Sequence, residues 1–553
     1  MTPKPDDKET NAVDFALEID KIDITTTPVT IQVASGFDDN VSSVIAPVLD
    51  PEDDLHKPIN VDINGIVDKL WDNRGESPIV PRADPDELAK VEKDLAPREG
   101  LPLNEVVDYT TDLMMKYCRH ISHPGHFGYL APQGLRTDPL GFAMTAAANQ
   151  NVAMYSSSPI GVTLEHTVIQ WLCEIIGYDL STGPSGVLLS GGSSSNLTAV
   201  ATALAHHYGP EYRSKGLGHY VQKTGKIPVI LCSEAAHFCF QRACGMVGIG
   251  VDNCITIPSD ENFCMRMDLL EEAIAKYEDQ GIAMIAATAG TTLTGGIDDL
   301  PAVAKICEEK NIWFHVDAAY GGSALMSPEL KPLLAGIERA DSVTMDLHKW
   351  FYMSLDCSAI VYKNPFTVKS LFSDQSASLK SLALDKFADK GYLFFLLGPE
   401  LSRRMRALPM YIAFKHFGMG KMGRNVLFNV QSAKYMSDLV KEDKELDLVY
   451  ESKLSICLFR MILPEGYKHR DPKMSEDEVV DALNAHIRQT VEDEDQYYMS
   501  GASIKDRPVL RCCLVSYRHG PAEVVDLLSI IKRIGRAWIK ENNMNATATK
   551  VEE

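Results

Sequence analysis

The sequence predicts an α/β protein built on a mostly parallel sheet with helices on both faces, followed by a smaller C-terminal α/β domain. Two observations carry this. From about residue 183, short apolar runs alternate with stretches of helical periodicity, the pattern of strands joined by crossover helices. The residues able to do chemistry fall where those runs end, which is where open parallel sheets place their ligands.

The strand-like runs are Gly186–Ser190, Ile227–Ser233, Ile255–Pro258, Ile282–Ala289, Ile312–Ala319, Val343–Asp346 and Ser358–Tyr362. Between them, Ser195–His207, Met267–Asp279 and Leu300–Lys310 carry apolar residues at helical spacing. Upstream, Ile63, Ile66, Val67 and Leu70 start a helical pattern that Pro78, Pro81, Pro85 and Pro97 interrupt. The expected organisation is an acidic flexible extension at 1–60, a helical segment at 61–150, a large domain at 151–414, a small domain at 415–541 and a polar tail at 542–553. Residues 1–60 hold 13 Asp and Glu against 4 Lys, too charged to build a core alone.

Composition narrows the function. The 553 residues are 45% hydrophobic and 24% charged, ordinary for a globular protein. The 54 Lys and Arg against 76 Asp and Glu leave a formal charge of −22. Such a chain repels phosphate backbones and anionic lipid, so neither a nucleic-acid nor a membrane partner is expected. The 12 cysteines are scattered with no C-x-x-C pair, which reads as reduced thiols in a cytoplasmic protein. His120, His123 and His126 form H-x2-H-x2-H, but Pro124 and Gly125 break the helix that would align them, and no metal is expected.

Five run ends carry the chemistry. Lys349 follows the strand-like Ser342–Met345; burial there would lower its pKa and favour the neutral amine of a Schiff base. Asp317 closes another run and can hold a proton on a ring nitrogen, with Ala318 and Ala319 leaving room for a flat ring. Ser190-Gly191-Gly192-Ser193-Ser194-Ser195-Asn196 joins a strand to a helix and suits a single phosphate group. It lacks the G-K-[ST] of a nucleotide loop. His237 in Ser233–Phe238 could stack on a flat group, and Thr292 in Ala289–Thr292 could offer a hydroxyl. Each has a plainer alternative when taken alone: a snorkelling lysine, a capping aspartate, a Ser-rich helix cap, a structural histidine, a turn threonine.

Taken in order, these residues resemble the fold-type-I, pyridoxal 5'-phosphate (PLP)-dependent group II amino-acid decarboxylases. That family includes aromatic-L-amino-acid, histidine, glutamate and cysteine-sulfinate decarboxylases. The resemblance runs from about Val61 to Lys540. Its most specific pieces are SEAAHF at 233–238, VDAAYGGSA at 316–324, DLHKW at 346–350 and DCSAIV at 356–361. HPGHFGY at 123–129, SSSP at 156–159 with Glu165, and SRRMRAL at 402–408 flank them.

The resemblance implies a seven-stranded, mostly parallel sheet and a homodimer whose segment near Val61–Leu130 wraps the partner. It implies PLP as cofactor, held by Lys349 as a Schiff base. Asp317 would pair with the pyridine nitrogen, and His237 would stack over the ring and share in catalysis. Gly192, Ser193 and Ser194 would bind the phosphate, helped by His348 and with Asp346 nearby. Thr292 and Ala319 would contact the ring, and Tyr129 and Arg511 the substrate. The implied activity is decarboxylation of an L-amino acid to its amine and CO2. The chain departs from the family in the loop after HKW. Ser378 falls where a tyrosine usually protonates Cα, and the nearest tyrosine is Tyr392. Loss of that tyrosine accompanies oxygen-using aldehyde synthases on the same scaffold, which is the alternative activity. Tyr129–Gln133 departs from the aromatic enzymes, Thr145–Tyr155 is similar to the glutamate and cysteine-sulfinate branch, and Pro409 stands where a lysine is usual.

Overall fold

The computed structural model describes residues 61–71, 78–93, 96, 100–373 and 393–544. The extension at 1–60, Ser378, Tyr392 and the tail beyond 544 lie outside the described residues. Both sheets lie within Asn64–Glu553.

All seven expected strands are present: β1 Ser185–Leu189, β2 Val229–Ser233, β3 Cys254–Ile257, β4 Ile282–Thr288, β5 Trp313–Asp317, β6 Ser342–Met345 and β7 Ser358–Tyr362. They lie in the order β1-β7-β6-β5-β4-β2-β3. β3, β2, β4, β5 and β6 pair in parallel, and β7 is antiparallel to both β1 and β6. Apart from the edge strand β3, every strand residue is buried. Burial on both faces is why these strands read as continuous apolar runs rather than alternations.

Successive side chains point to opposite faces and feed two cores. Leu188, Leu231, Ile285, Val316 and Val343 pack with Val168, Ile169 and Leu172 of the helix Pro159–Ile176. Val187, Ile230, Met284 and Ile360 pack with Ala199, Val200, Ala203 and Leu204 of the helix Gly192–Tyr208. The small alanines let that helix lie close to the sheet, with its first turn at the end of β1. The helix Leu300–Lys310 starts at Asp299, whose side chain accepts from Ala302 N, and ends at the left-handed Asn311.

A 24-residue helix, Met419–Glu442, leads to the second sheet. Its strands are β8 Leu446–Glu451, β9 Ile456–Met461, β10 Ser500–Ile504 and β11 Arg507–Cys513, antiparallel in the order β10-β11-β9-β8. The helices Glu476–Glu494 and Pro521–Asn542 supply Leu483, Ile487, Leu527 and Ile531 to its core. Phe127 joins the same core. Its N–H donates to Tyr498 O and its carbonyl accepts from Cys513 N, each at 2.8 Å. The N-terminal pattern resolves into the helices Ile63–Trp71, Pro85–Glu92 and Leu103–Tyr117, with Pro85 opening the second. His120 Nε2 bonds Met115 O and His123 Nδ1 accepts from Gly125 N, so the two are engaged by nearby backbone.

Candidate active site

One cavity of about 320 Å³ opens where β1, β2, β4, β5 and β6 end. That is within the range of pockets for small ligands. Its wall contains Gly192, Ser193, Ser194, His237, Thr292, Asp317, Ala319, Asp346, His348 and Lys349. The sheet gathers them because they lie at or just after the ends of these five strands.

The turn after β6 is held on two sides. Asp346 N donates to Ala319 O, and His348 N to Cys357 O. This fixes Lys349 with Nζ 3.0 Å from Asp346 Oδ2. Burial pulls the lysine pKa down, but the charges of Asp346 and Asp317 outweigh it, so the pKa is raised above 10.5. This direction is opposite to the one burial alone would give, because two carboxylates face the amine.

Asp317 ends β5 and is held at both oxygens. Oδ2 accepts from Asn196 Nδ2 at 2.8 Å and Oδ1 from Ala319 N at 3.0 Å. A carboxylate has about four acceptor positions, so it retains capacity for a further donor.

Both cavity histidines are neutral. Burial lowers the His237 pKa, with Asp317 opposing, and His237 Nδ1 accepts from Cys239 N at 3.2 Å. Burial also lowers that of His348, against Asp346, and His348 Nδ1 accepts from Cys357 N at 3.1 Å. A neutral ring that accepts at Nδ1 carries its proton on Nε2. Each ring therefore offers an Nε2–H donor.

Facing Asp346 is the start of the helix Gly192–Tyr208, whose cap is Gly191. A Cβ on Gly192 would lie 2.8 Å from Asp346 Oδ2, so only glycine allows this approach. Ser190 Oγ and Ser194 Oγ are 3.1 Å apart, and Ser193 also lines the wall. Asp346 Oδ1 and Thr288 Oγ1, on lining residues, are buried without a hydrogen-bond partner among the described residues. Helix-start N–H groups and hydroxyls, a neutral plate, a carboxylate and an amine are the set needed for a phosphate, a flat cationic ring and an aldehyde. These residues fit PLP.

Arg511 lies on β11 with its donors engaged by the loop after β4 and by Ser500 of β10. Nε bonds Leu293 O at 3.2 Å, Nη1 bonds Ser500 Oγ at 2.8 Å, and Nη2 bonds Thr292 O. It lines a neighbouring cavity together with His237 and Thr292. Tyr129 lines neither cavity; it packs with Arg119, His126 and Tyr498. Sequence reasoning missed Asn196, Cys239 and Thr288, which also line the site. Asn196 stands in the Ser-rich loop, but its partner Asp317 is 121 residues away.

The family model of the pyridoxal-dependent decarboxylase conserved domain matches residues 85–462. L-2,4-diaminobutyrate decarboxylase of Acinetobacter baumannii is 30% identical over 400 residues, covering 70% of this chain and 76% of that protein. Phenylacetaldehyde synthase of a Rosa hybrid cultivar is 26% identical, covering 89% of this chain and 95% of its own length. Among solved structures, Oryza sativa TDC with PLP and tryptamine superposes with a TM-score of 0.77 at 22% identity, covering 86% of this chain and 96% of that one. That likeness shows the fold. The match at 85–462 spans the Ser-rich loop, His237, Asp317 and Lys349 in one stretch, and by it the chain belongs to the pyridoxal-dependent decarboxylase family.

Proposed function

We propose that this enzyme uses PLP to remove the α-carboxylate of an L-amino acid, releasing CO2 and the amine. The observation that carries the reading is the meeting of Lys349, Asp317, His237 and the start of the helix Gly192–Tyr208 on one cavity. Bound PLP supplies an electron sink for the pair left when a Cα bond breaks. The chain's residues supply the rest. Lys349 is the amine that holds the cofactor covalently, and Asp346 at 3.0 Å keeps it aligned. Asp317, with an N–H donor on each oxygen, is held in place to pair with the ring nitrogen and keep a proton there. Neutral His237 can stack without adding positive charge. The helix start, Ser193, Ser194 and the Nε2–H of His348 bind phosphate. Arg511 acts by fixing the loop that carries Thr292.

A second reading, an oxygen-using aldehyde synthase, is favoured by one observation: no tyrosine occurs from Lys363 to Gly391. The relatives named phenylacetaldehyde synthase fit it too. A screen of L-amino acids under air and under nitrogen separates the two. The proposal expects CO2 and amine in equal amounts under both gases. Aldehyde, hydrogen peroxide and one oxygen consumed per turnover would put the second reading in its place. No CO2 from any L-amino acid would overturn both.

We also propose a cytoplasmic homodimer with neither a membrane nor a nucleic-acid partner. Leu103, Val106, Tyr109 and Met114 of the helix Leu103–Tyr117 are exposed, and a second copy of the chain would cover them. All twelve cysteines are unpaired, in keeping with a reducing compartment. No helix among the described residues is long and apolar enough to cross a membrane, and the charge of −22 disfavours nucleic acid.

A further inference from the structure

Asp317 is the last link of a buried hydrogen-bond chain that begins away from the cavity. Trp313 Nε1 donates to Ser342 Oγ at 2.9 Å. Ser342 Oγ lies 2.8 Å from His315 Nδ1, and His315 Nε2 lies 3.0 Å from Asn196 Oδ1. Asn196 Nδ2 then donates to Asp317 Oδ2 at 2.8 Å. No member is more than 5% exposed. The fold assembles the chain from three elements. Trp313, His315 and Asp317 alternate along β5 and so share one face. Ser342 on β6 is the register partner of His315. Asn196 comes from the first turns of the helix Gly192–Tyr208.

We propose that His315 and Asn196 are positioning residues for PLP: they fix the amide donor on Asp317 and so orient the carboxylate that holds the proton on the ring nitrogen. This rests on the PLP site described above. The two ends of the chain set its direction, because an indole N–H can only donate and a carboxylate can only accept. Asn196 must turn Nδ2 to Asp317, which leaves Oδ1 facing His315. His315 must then carry its proton on Nε2. Burial pulls the pKa of His315 down to about 3, so the ring is neutral and Nδ1 is an acceptor. Ser342 donates to that acceptor and selects the tautomer, while its lone pair takes the proton of Trp313.

Without the His315 donor, the Asn196 oxygen loses its partner and the amide is held only through Nδ2, by Asp317 and by Cys239 Sγ at 3.2 Å, so it is freer to turn over. Its oxygen would then face the carboxylate. A donor lost from Asp317 makes it a stronger base. It would then compete better for the ring proton, and the cofactor would be a poorer electron sink. His315 lines neither the PLP cavity nor the one beside Arg511. A buried imidazole is costly where an apolar ring would pack, so orienting Asn196 accounts for its place.

The test loads purified protein with ring-15N-labelled PLP and reads the nitrogen chemical shift, together with the cofactor dissociation constant. Wild type is expected to show a protonated ring nitrogen. His315→Phe and Asn196→Leu should move the shift toward the unprotonated value and weaken PLP binding by about tenfold, the scale of a hydrogen bond to a charged group. His315→Gln, whose amide can still donate to Asn196 Oδ1, should restore most of both. Ser342→Ala removes one hydroxyl two links back and should shift the signal the same way by less. It carries the test alone if His315→Phe does not fold. Wild-type shifts and affinities in folded His315→Phe and Ser342→Ala would overturn the relay while leaving the site intact. A wild type that fails to bind PLP would overturn the site itself, and the relay with it.

Discussion

At the scale of single residues, Lys349 is governed by its carboxylate neighbours. Replacing it with alanine removes the amine that the reading places on the cofactor. CO2 release from the best substrate should fall on the order of a thousandfold or more, with the far-ultraviolet circular dichroism unchanged. Near-normal turnover would remove Lys349 from the chemistry. The proton on Nζ gives a second expectation. Burial opposes the charge and Asp346 and Asp317 favour it, so the folded pKa lies above the usual 10.5. The stabilisation from this ammonium is therefore present below about pH 10.5 and lost as pH rises through the raised folded value. Asp346→Asn removes one of the two charges, so the pH midpoint for PLP capture by the apoprotein should move down. An unmoved or raised midpoint would show that Asp346 does not set the amine's charge. Lys349, Asp317 and His237 were legible in the sequence because a chemically active residue that ends an apolar run stands out. The upward direction for Lys349 was not legible, because burial is visible in a strand pattern and the nearness of Asp346 and Asp317 is not. His315 looked like a strand residue, and its partners Ser342 and Asn196 are 27 and 119 residues away.

At the scale of elements, a buried ion pair ties the end of β1 to the helix Pro159–Ile176 and to the segment before the helix Ala407–Phe417. Arg403 and Glu165 are each 1% exposed as side chains. Arg403 donates to Glu165 Oε1, to Leu188 O at 2.7 Å and to Val152 O at 3.1 Å, while Leu188 N donates to the same carboxylate at 2.9 Å. Leu188 lies just before the Ser-rich loop at the end of β1, so the pair sets where that loop starts. Arg403→Met strands a buried carboxylate and should cost about 3–5 kcal/mol in denaturant unfolding. Arg403→Met combined with Glu165→Met should cost less than the sum of the single changes. Equal or greater cost would mean the residues do not act as a pair. Glu165 and SRRMRAL at 402–408 were noticed only as motif pieces, because a pair 238 residues apart cannot be read from spacing. The strands of the large sheet were legible through their apolar runs. The β10–β11 hairpin was not: its turn uses Lys505 and Asp506, both at positive φ, without the usual glycine or asparagine signal.

At the scale of the whole molecule, the large sheet and the C-terminal sheet share the work of building the site. Arg511 on β11 holds the loop that carries Thr292. That coupling, like the entry of Phe127 into the C-terminal core, joins segments hundreds of residues apart and left no periodic trace in the sequence. The proposed homodimer is checked by sedimentation equilibrium, which should give twice the 61.1 kDa chain mass. Leu103→Asp combined with Tyr109→Asp should shift it toward monomer. An active wild-type monomer would contradict the assembly. The central claim, that this cavity binds PLP through Lys349, is tested most directly by borohydride reduction of PLP-loaded protein followed by peptide mass spectrometry. A phosphopyridoxyl group on the peptide containing Lys349 is the expected result. A protein that binds no PLP, or one modified at another lysine with Lys349 untouched, would contradict it.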